Sequence, residues 1–164
     1  MAGVDFKTLF ITEYNKLVRY LITQGASLHE ADDAVQDAFA HAISQWPTIT
    51  HHRAWLYRVA MRQFLNGEVR LRNRETPTDD VSVLNAAATA EDPLAYTIHQ
   101  HMMMEAVQAL PYHQRHVMGL LIADFSPAEI AELLDSTEQA VRQTIYRARQ
   151  TLNEQMKPAW KETS

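Results

Sequence analysis

The chain contains no cysteine. Disulfides, thiolate catalysis and cysteine-ligated zinc are therefore excluded, and a reducing compartment is compatible with the composition. Glycine is scarce, with four in 164 residues, and they are scattered. No glycine-rich loop that could cradle a phosphate is written here. There is no G-x-S-x-G nucleophile turn and no H-E-x-x-H metal pair. Long apolar runs are also missing: no stretch approaches the roughly 20 residues a membrane span requires. The N-terminal MAGVDFKTLF lacks the apolar core and cleavage site of a signal peptide. A cytoplasmic protein without membrane insertion is expected. Alternating strand patterns do not extend beyond a few residues. The expected fold class is all-α, and the expected activity is binding and not catalysis.

What is present is helical periodicity in a chain that is 46% hydrophobic, enough for a packed core. A first helix is expected over about 4–23, with Phe6, Leu9, Phe10, Tyr14, Leu17, Val18 and Leu21 on one face. Gly25 supplies a left-handed stop. Ser27 and Glu30 form a capping box that opens a second helix running to about Trp46, ended by Pro47. Its apolar line is Ala31, Val35, Ala38 or Phe39, Ala42 and Ile43. A third helix is expected over about 52–72, with Trp55 and Leu56 among its core residues. Residues 75–94 are small, acidic and bracketed by Pro77 and Pro93, which reads as a linker with a short turn around 81–84. Helices resume over about 94–109, 112–123, 127–134 and 137–156. The expected layout is two small helical domains, 1–74 and 95–164, joined by an acidic linker.

The net charge of −5 is unevenly spread. Residues 53–74 hold Arg53, Arg58, Arg62, Arg70, Arg72 and Arg74 against Glu68 alone. Residues 142–157 hold Arg142, Arg147, Arg149 and Lys157 against Glu154. Residues 30–37 carry Glu30, Asp32, Asp33 and Asp37 with no base, and the linker holds five acids and no base. Separate basic and acidic surfaces fit a protein that touches both DNA and a basic protein partner. Solvated helix faces are the alternative for each segment taken alone.

Residues 126–152 carry the clearest functional signal. Ser126, Pro127 and Glu129 open one short helix, and Ser136 with Gln139 is expected to open the next. Ile130, Leu133 and Leu134 form the apolar stripe of the first. Val141, Ile145, Ala148 and Leu152 form one face of the second, leaving Arg142, Gln143, Tyr146, Arg147 and Arg149 outside it. This is a helix-turn-helix whose second helix suits a DNA major groove. Arg142 and Gln143 are the candidates for base edges, and Arg147 and Arg149 for phosphates.

The eight histidines do not make a metal site. His51 and His52 diverge, His99 and His101 point apart on a helix, and His113 with His116 has no acidic third ligand. No cofactor or metal is expected. Met102–Met104 reads as core with one methionine exposed.

Three segments in this order resemble the extracytoplasmic-function sigma factors of bacterial RNA polymerase. EADDAVQDAFAHAISQW is similar to the acidic helix that docks on the polymerase clamp. RAWLYRVAMRQFLN is similar to the promoter-melting helix, and ALPYHQRHVMGLLIADFSPAEIAELLDSTEQAVRQTIYRARQTL to the domain that reads the upstream promoter element. Asp33, Gln36, Asp37 and Ala40 fall on one helical face at steps of three or four, with Asp32 beside them, and the resemblance implies that Asp33, Gln36 and Asp37 face the clamp. Arg58, Arg62, Gln63 and Asn66 lie along a polar stripe of the second segment, with Asn66 matching a polar position of the family, and with Arg70 just beyond they are expected to act at the downstream element. Arg142, Gln143, Tyr146 and Arg147 match the family's recognition-helix contacts and are implied to act at the upstream element, with Arg149 a further phosphate candidate beside them. Core polymerase (clamp and flap), promoter DNA and an inhibitory anti-sigma protein are the implied partners, and the linker is implied to thread toward the polymerase cleft. Arg62 stands where the family usually has Asn, and Asp135 where the turn usually has Gly. The other readings are a homodimeric helix-turn-helix regulator, which leaves residues 30–37 and 53–74 unexplained, and a helical adaptor without transcriptional activity.

Overall fold

The computed structural model describes residues 5–74 and 98–161, with side chains over 5–67 and 102–155. The expected linker 75–94 lies outside the described residues. The chain divides into two compact units, Met1–Ala95 and Tyr96–Ser164. Among the described residues the regular structure is seven α-helices and one 3-10 turn, with no strand.

In the first unit, α1 (Phe6–Thr23), α2 (Leu28–Gln45) and α3 (His52–Arg74) pack pairwise. Leu17, Leu21, Val35, Ala38, Leu56 and Ala60 are the fully enclosed centre of that packing. The capping box at Ser27 is formed in both directions: Glu30 N–H donates to Ser27 Oγ at 3.1 Å, and Ser27 N–H to Glu30 Oε1 at 3.2 Å. Phe6, Phe10, Tyr14, Phe39 and Trp46 make a ladder of ring contacts between the start of α1 and the end of α2. Trp46 and Pro47 begin a 3-10 turn (Trp46–Thr48), and the His52 ring lies tilted against Trp46 with centroids 4.0 Å apart while its Nε2–H donates to the Trp46 carbonyl. The apolar line of α2 needs one correction. Ala38 and Phe39 are both buried, whereas Ile43 is 62% exposed. Each residue advances about 100° around the helix, so turning Ala42 inward leaves Ile43 to solvent. Trp55 is half-buried, and it is Leu56 and Tyr57 that reach the centre.

The second unit contains α4 (Ile98–Gln108), α5 (Tyr112–Ile122), α6 (Pro127–Leu133) and α7 (Glu138–Lys161). The last of these packs on the other three. It continues past Pro158 and ends five residues beyond the expected 156. The methionine expectation also changes, because Met102 and Met103 are both exposed, not one alone.

Three helices end alike. Gly25, Asp124 and Asp135 adopt φ of 105°, 69° and 52°. In each case the next residue's N–H returns to a carbonyl five positions back: Ala26 to Leu21, Phe125 to Leu120 and Ser136 to Ala131, at 3.0, 3.1 and 2.8 Å. These are Schellman stops, which use the left-handed conformation to satisfy carbonyls that the helix leaves open. Asp tolerates that conformation better than most side-chain-bearing residues. Asp135 thus makes the turn that the family usually assigns to Gly. Asp124 does the same at a position where no such turn is expected from the pattern.

His116 is half-buried on α5, and burial pushes its pKa below the ordinary 6.5, with His113 and Arg115 adding to the effect. Near that pH the folded unit binds fewer protons than the unfolded chain. Stability is therefore complete above the unfolded value and falls as pH drops through and below it. Thermal melts of the C-terminal unit between about pH 7.5 and about pH 5 should show this decline, and His116→Gln should flatten it. An equally steep decline in the variant would assign the effect to another group.

Candidate nucleic-acid and polymerase interfaces

The helix-turn-helix is built from α6 and α7. Ser126 caps α6 through a complete capping box, with Glu129 N–H on Ser126 Oγ at 3.2 Å and Ser126 N–H on Glu129 Oε1 at 3.0 Å. Ile130 and Ala131 are buried, whereas Leu133 and Leu134 are only half-buried. The cap of α7 is displaced by one residue from the expected Ser136. Thr137 Oγ1 accepts the Ala140 N–H at 3.1 Å. The reason is local: the Ser136 N–H already closes α6 on Ala131, so Ser136 ends one helix and Thr137 starts the next. Gln139 then falls out of the box position.

On α7, Val141, Ile145, Ala148 and Leu152 are all buried, joined by Thr144, whose hydroxyl donates to the Ala140 carbonyl. Arg142, Gln143, Tyr146, Arg147 and Arg149 are all exposed, Tyr146 by 64%. The structure therefore brings these five side chains onto the outer surface of one helix. Two are held by i,i+4 partners. Arg142 donates from Nε and Nη2 to Glu138 Oε1 at 3.2 and 2.8 Å, and Gln150 Nε2 donates to the Tyr146 hydroxyl at 3.0 Å.

On α3, Arg58, Arg62 and Asn66 are exposed along one row at steps of four, and Gln63 beside them is half-buried. Arg70 continues the row on the backbone of α3, and its side chain lies outside the described residues. Arg53 does not belong to this basic face. Its Nε pairs with Glu13 Oε1 at 3.1 Å, and Glu13 is buried. Tyr57 donates its hydroxyl to the other Glu13 oxygen at 3.2 Å. Burial, followed by the Glu13 charge, pushes the Tyr57 pKa far up, so the phenol remains a donor. This α1–α3 clasp is missed by reading charge along the chain. The signal available was Glu13 standing in the i+4 row between Leu9 and Leu17, where an apolar residue is the rule.

On α2, Asp33, Gln36, Asp37 and Ala40 are exposed on one face. His29 Nε2 lies 3.3 Å from Asp33 Oδ2. Asp32 is not part of that surface. It is buried, it accepts the Tyr14 hydroxyl, and Gln36 Nε2 donates to its second oxygen at 2.8 Å. Burial and then the Asp32 hydrogen bond push the Tyr14 pKa up, which keeps the phenol protonated. Asp32 thus anchors α2 to α1 and orients Gln36, leaving Asp33 and Asp37 as the exposed carboxylates of the row.

Among the described residues no group of three or more His, Asp or Glu is placed to hold a metal ion, and no helix is long and apolar enough to cross a membrane.

Two helical modules, the second a helix-turn-helix, define the architecture of a sigma-70-type initiation factor. The sigma-70 region 2 model matches residues 9–75, and the sigma-70 region 4 model matches residues 100–152. The chain is 26% identical over 161 residues to the RNA polymerase sigma factor YlaC of Bacillus subtilis, covering 93% of this chain and 92% of that one. It is 25% identical over 165 residues to the ECF RNA polymerase sigma-E factor of Escherichia coli, covering 92% and 86%. Among solved structures, the sigma factor RpoE in complex with the anti-sigma factor NepR from Bartonella quintana has the same fold, with a TM-score of 0.68 at 24% identity, covering 93% of this chain and 97% of that one. The chain belongs to the extracytoplasmic-function group of RNA polymerase sigma factors, and its function is in transcription initiation.

Proposed function

We propose that the two units divide the work of promoter recognition, with residues 1–74 and 95–164 as the working domains and 75–94 as the tether. The N-terminal domain docks on the polymerase clamp through Asp33, Gln36 and Asp37, an exposed acidic row suited to a basic coiled surface. Arg58, Arg62, Gln63, Asn66 and Arg70 contact the downstream element as it opens, where cations along the backbone and a polar pocket for an unstacked base are needed. The C-terminal domain rests on the polymerase flap and reads the upstream element. Arg142 and Gln143 lie at base edges, Tyr146 at a thymine methyl or sugar, and Arg147 and Arg149 at phosphates. The protein acts in the cytoplasm as a non-catalytic subunit, and an anti-sigma protein is its inhibitory partner.

The observation that carries this reading is the two-faced α7, with Val141, Ile145, Ala148 and Leu152 buried beneath five exposed polar side chains. A helix presented this way can enter a groove without unpacking its own core. Run-off transcription with core polymerase and a promoter library tests it. Asp37→Arg reverses a charge on an exposed residue. It should weaken holoenzyme formation and transcription while leaving the helical circular dichroism and melting temperature unchanged. Full polymerase binding by that variant would refute the clamp assignment.

A further inference from the structure

Glu138 is an exposed acid at the start of the DNA-facing row of α7 and has no role among the contacts proposed for that row. It is the first residue of α7, seated directly after the Thr137 cap. Both of its bonds to Arg142 use a single oxygen, Oε1, at 3.2 and 2.8 Å from Nε and Nη2. We propose that Glu138 is a specificity-determining residue for the upstream element: it fixes the Arg142 fork for a guanine and offers its second oxygen, Oε2, to the amino group of an adjacent cytosine. This inference rests on α7 being the DNA-reading helix.

An exposed i,i+4 pair contributes little to stability in water, so its consequence has to be sought where water is excluded. With Nε and one Nη2 proton committed to Glu138, the outer edge of the guanidinium still has two parallel N–H donors, the geometry that matches guanine O6 and N7. The rotamer freedom of a long side chain is restricted before DNA arrives, which lowers the ordering cost of binding. A carboxylate beside phosphates weakens affinity in general, yet in the major groove it accepts well only from an exocyclic amine. Against guanine or the thymine carbonyl it sets acceptor against acceptor. The first turn of a recognition helix is where base edges are met. An acid there sacrifices sequence-independent attraction for discrimination.

The test uses holoenzyme assembled from the full chain and core polymerase, transcribing a library randomised over the upstream element, with Glu138→Ala, Glu138→Gln, Arg142→Ala and the double variant in parallel. Glu138→Ala should lower base preference at one or two neighbouring positions by roughly tenfold, on the scale of one good base contact. Transcription at low salt from promoters that lack the preferred bases should rise, since a negative charge has left the interface. Glu138→Gln should shift preference toward adenine, which an amide can pair bidentately. The double variant should be no less selective at the guanine than Arg142→Ala alone, because the two residues act there as a unit. If Arg142→Ala reshapes the preference profile while Glu138→Ala leaves it unchanged, the inference fails and the DNA-reading assignment of α7 stands. A Glu138→Ala variant that loses only melting temperature also overturns the inference and reduces Glu138 to a favourable charge at a helix start. If Arg142→Ala also leaves the profile untouched, both fail.

Discussion

Arg53→Met is expected to destabilise the N-terminal unit by about 3 kcal/mol. The guanidinium is the charge partner of Glu13, whose side chain is 8% exposed, against 24% for Arg53 itself. Removing Arg53 leaves a carboxylate enclosed between α1 and α3, with the Tyr57 hydroxyl still donating to it but its paired guanidinium gone. The partial exposure of Arg53 puts the cost toward the lower end of what a broken buried pair loses. A domain stability of about 5–15 kcal/mol makes even that a large fraction. The cost arises mainly from the abandoned charge and less from the worth of the pair. Replacing both partners with apolar residues, Glu13→Leu with Arg53→Met, should therefore recover most of the loss. Hydrogen exchange of the α1 and α3 amides reads this directly in the full chain, without requiring the two units to melt together. A double variant as unstable as Arg53→Met would show that the pair itself, and not the orphaned carboxylate, sets the stability.

The second large effect belongs to α7. Arg142→Ala should cost about 1–3 kcal/mol of discrimination, roughly a five- to 150-fold loss of preference, at the position proposed for Arg142, with little change elsewhere. Arg147→Ala should behave differently. As a phosphate contact it should weaken every upstream sequence alike and reduce the salt dependence of promoter binding by about one counterion. The contrast between a local change in preference and a uniform, salt-linked change in affinity is the measurement. Two variants with the same uniform profile would remove Arg142 from the base-reading set. Both side chains are exposed and α7 buries its other face, so neither substitution opens a cavity.

Much of this architecture is legible in local pattern. The capping boxes at Ser27 and Ser126 are written as S-x-x-E and form as written, because cap and partner lie within one helical turn. The face of α7 is equally readable, since its period alone puts Val141, Ile145, Ala148 and Leu152 together. The error at Ser136 has a different origin. Two adjacent hydroxyl residues could each cap α7, and the choice depends on which amide α6 has already taken for its own stop. The Glu138–Arg142 pair was visible as an acid four residues before a base, but its use of a single oxygen was not.

The amino-acid sequence by itself determined the helices, most of their stops and starts, the order of the helical segments and the polar face of α7, because each depends mainly on residues within a few positions of one another. Only the tertiary structure decided which charges remain at the surface. Asp32 and Arg53 sit in runs of like charge, yet one anchors α2 on Tyr14 and the other clasps α3 to Glu13 of α1. Ile43 reads as core and is exposed. Periodicity assigns a residue to a side of its helix. Whether that side meets water, an apolar neighbour or an opposite charge depends on a partner helix distant in the sequence, and the cost of burying an unpaired charge makes that partner decisive.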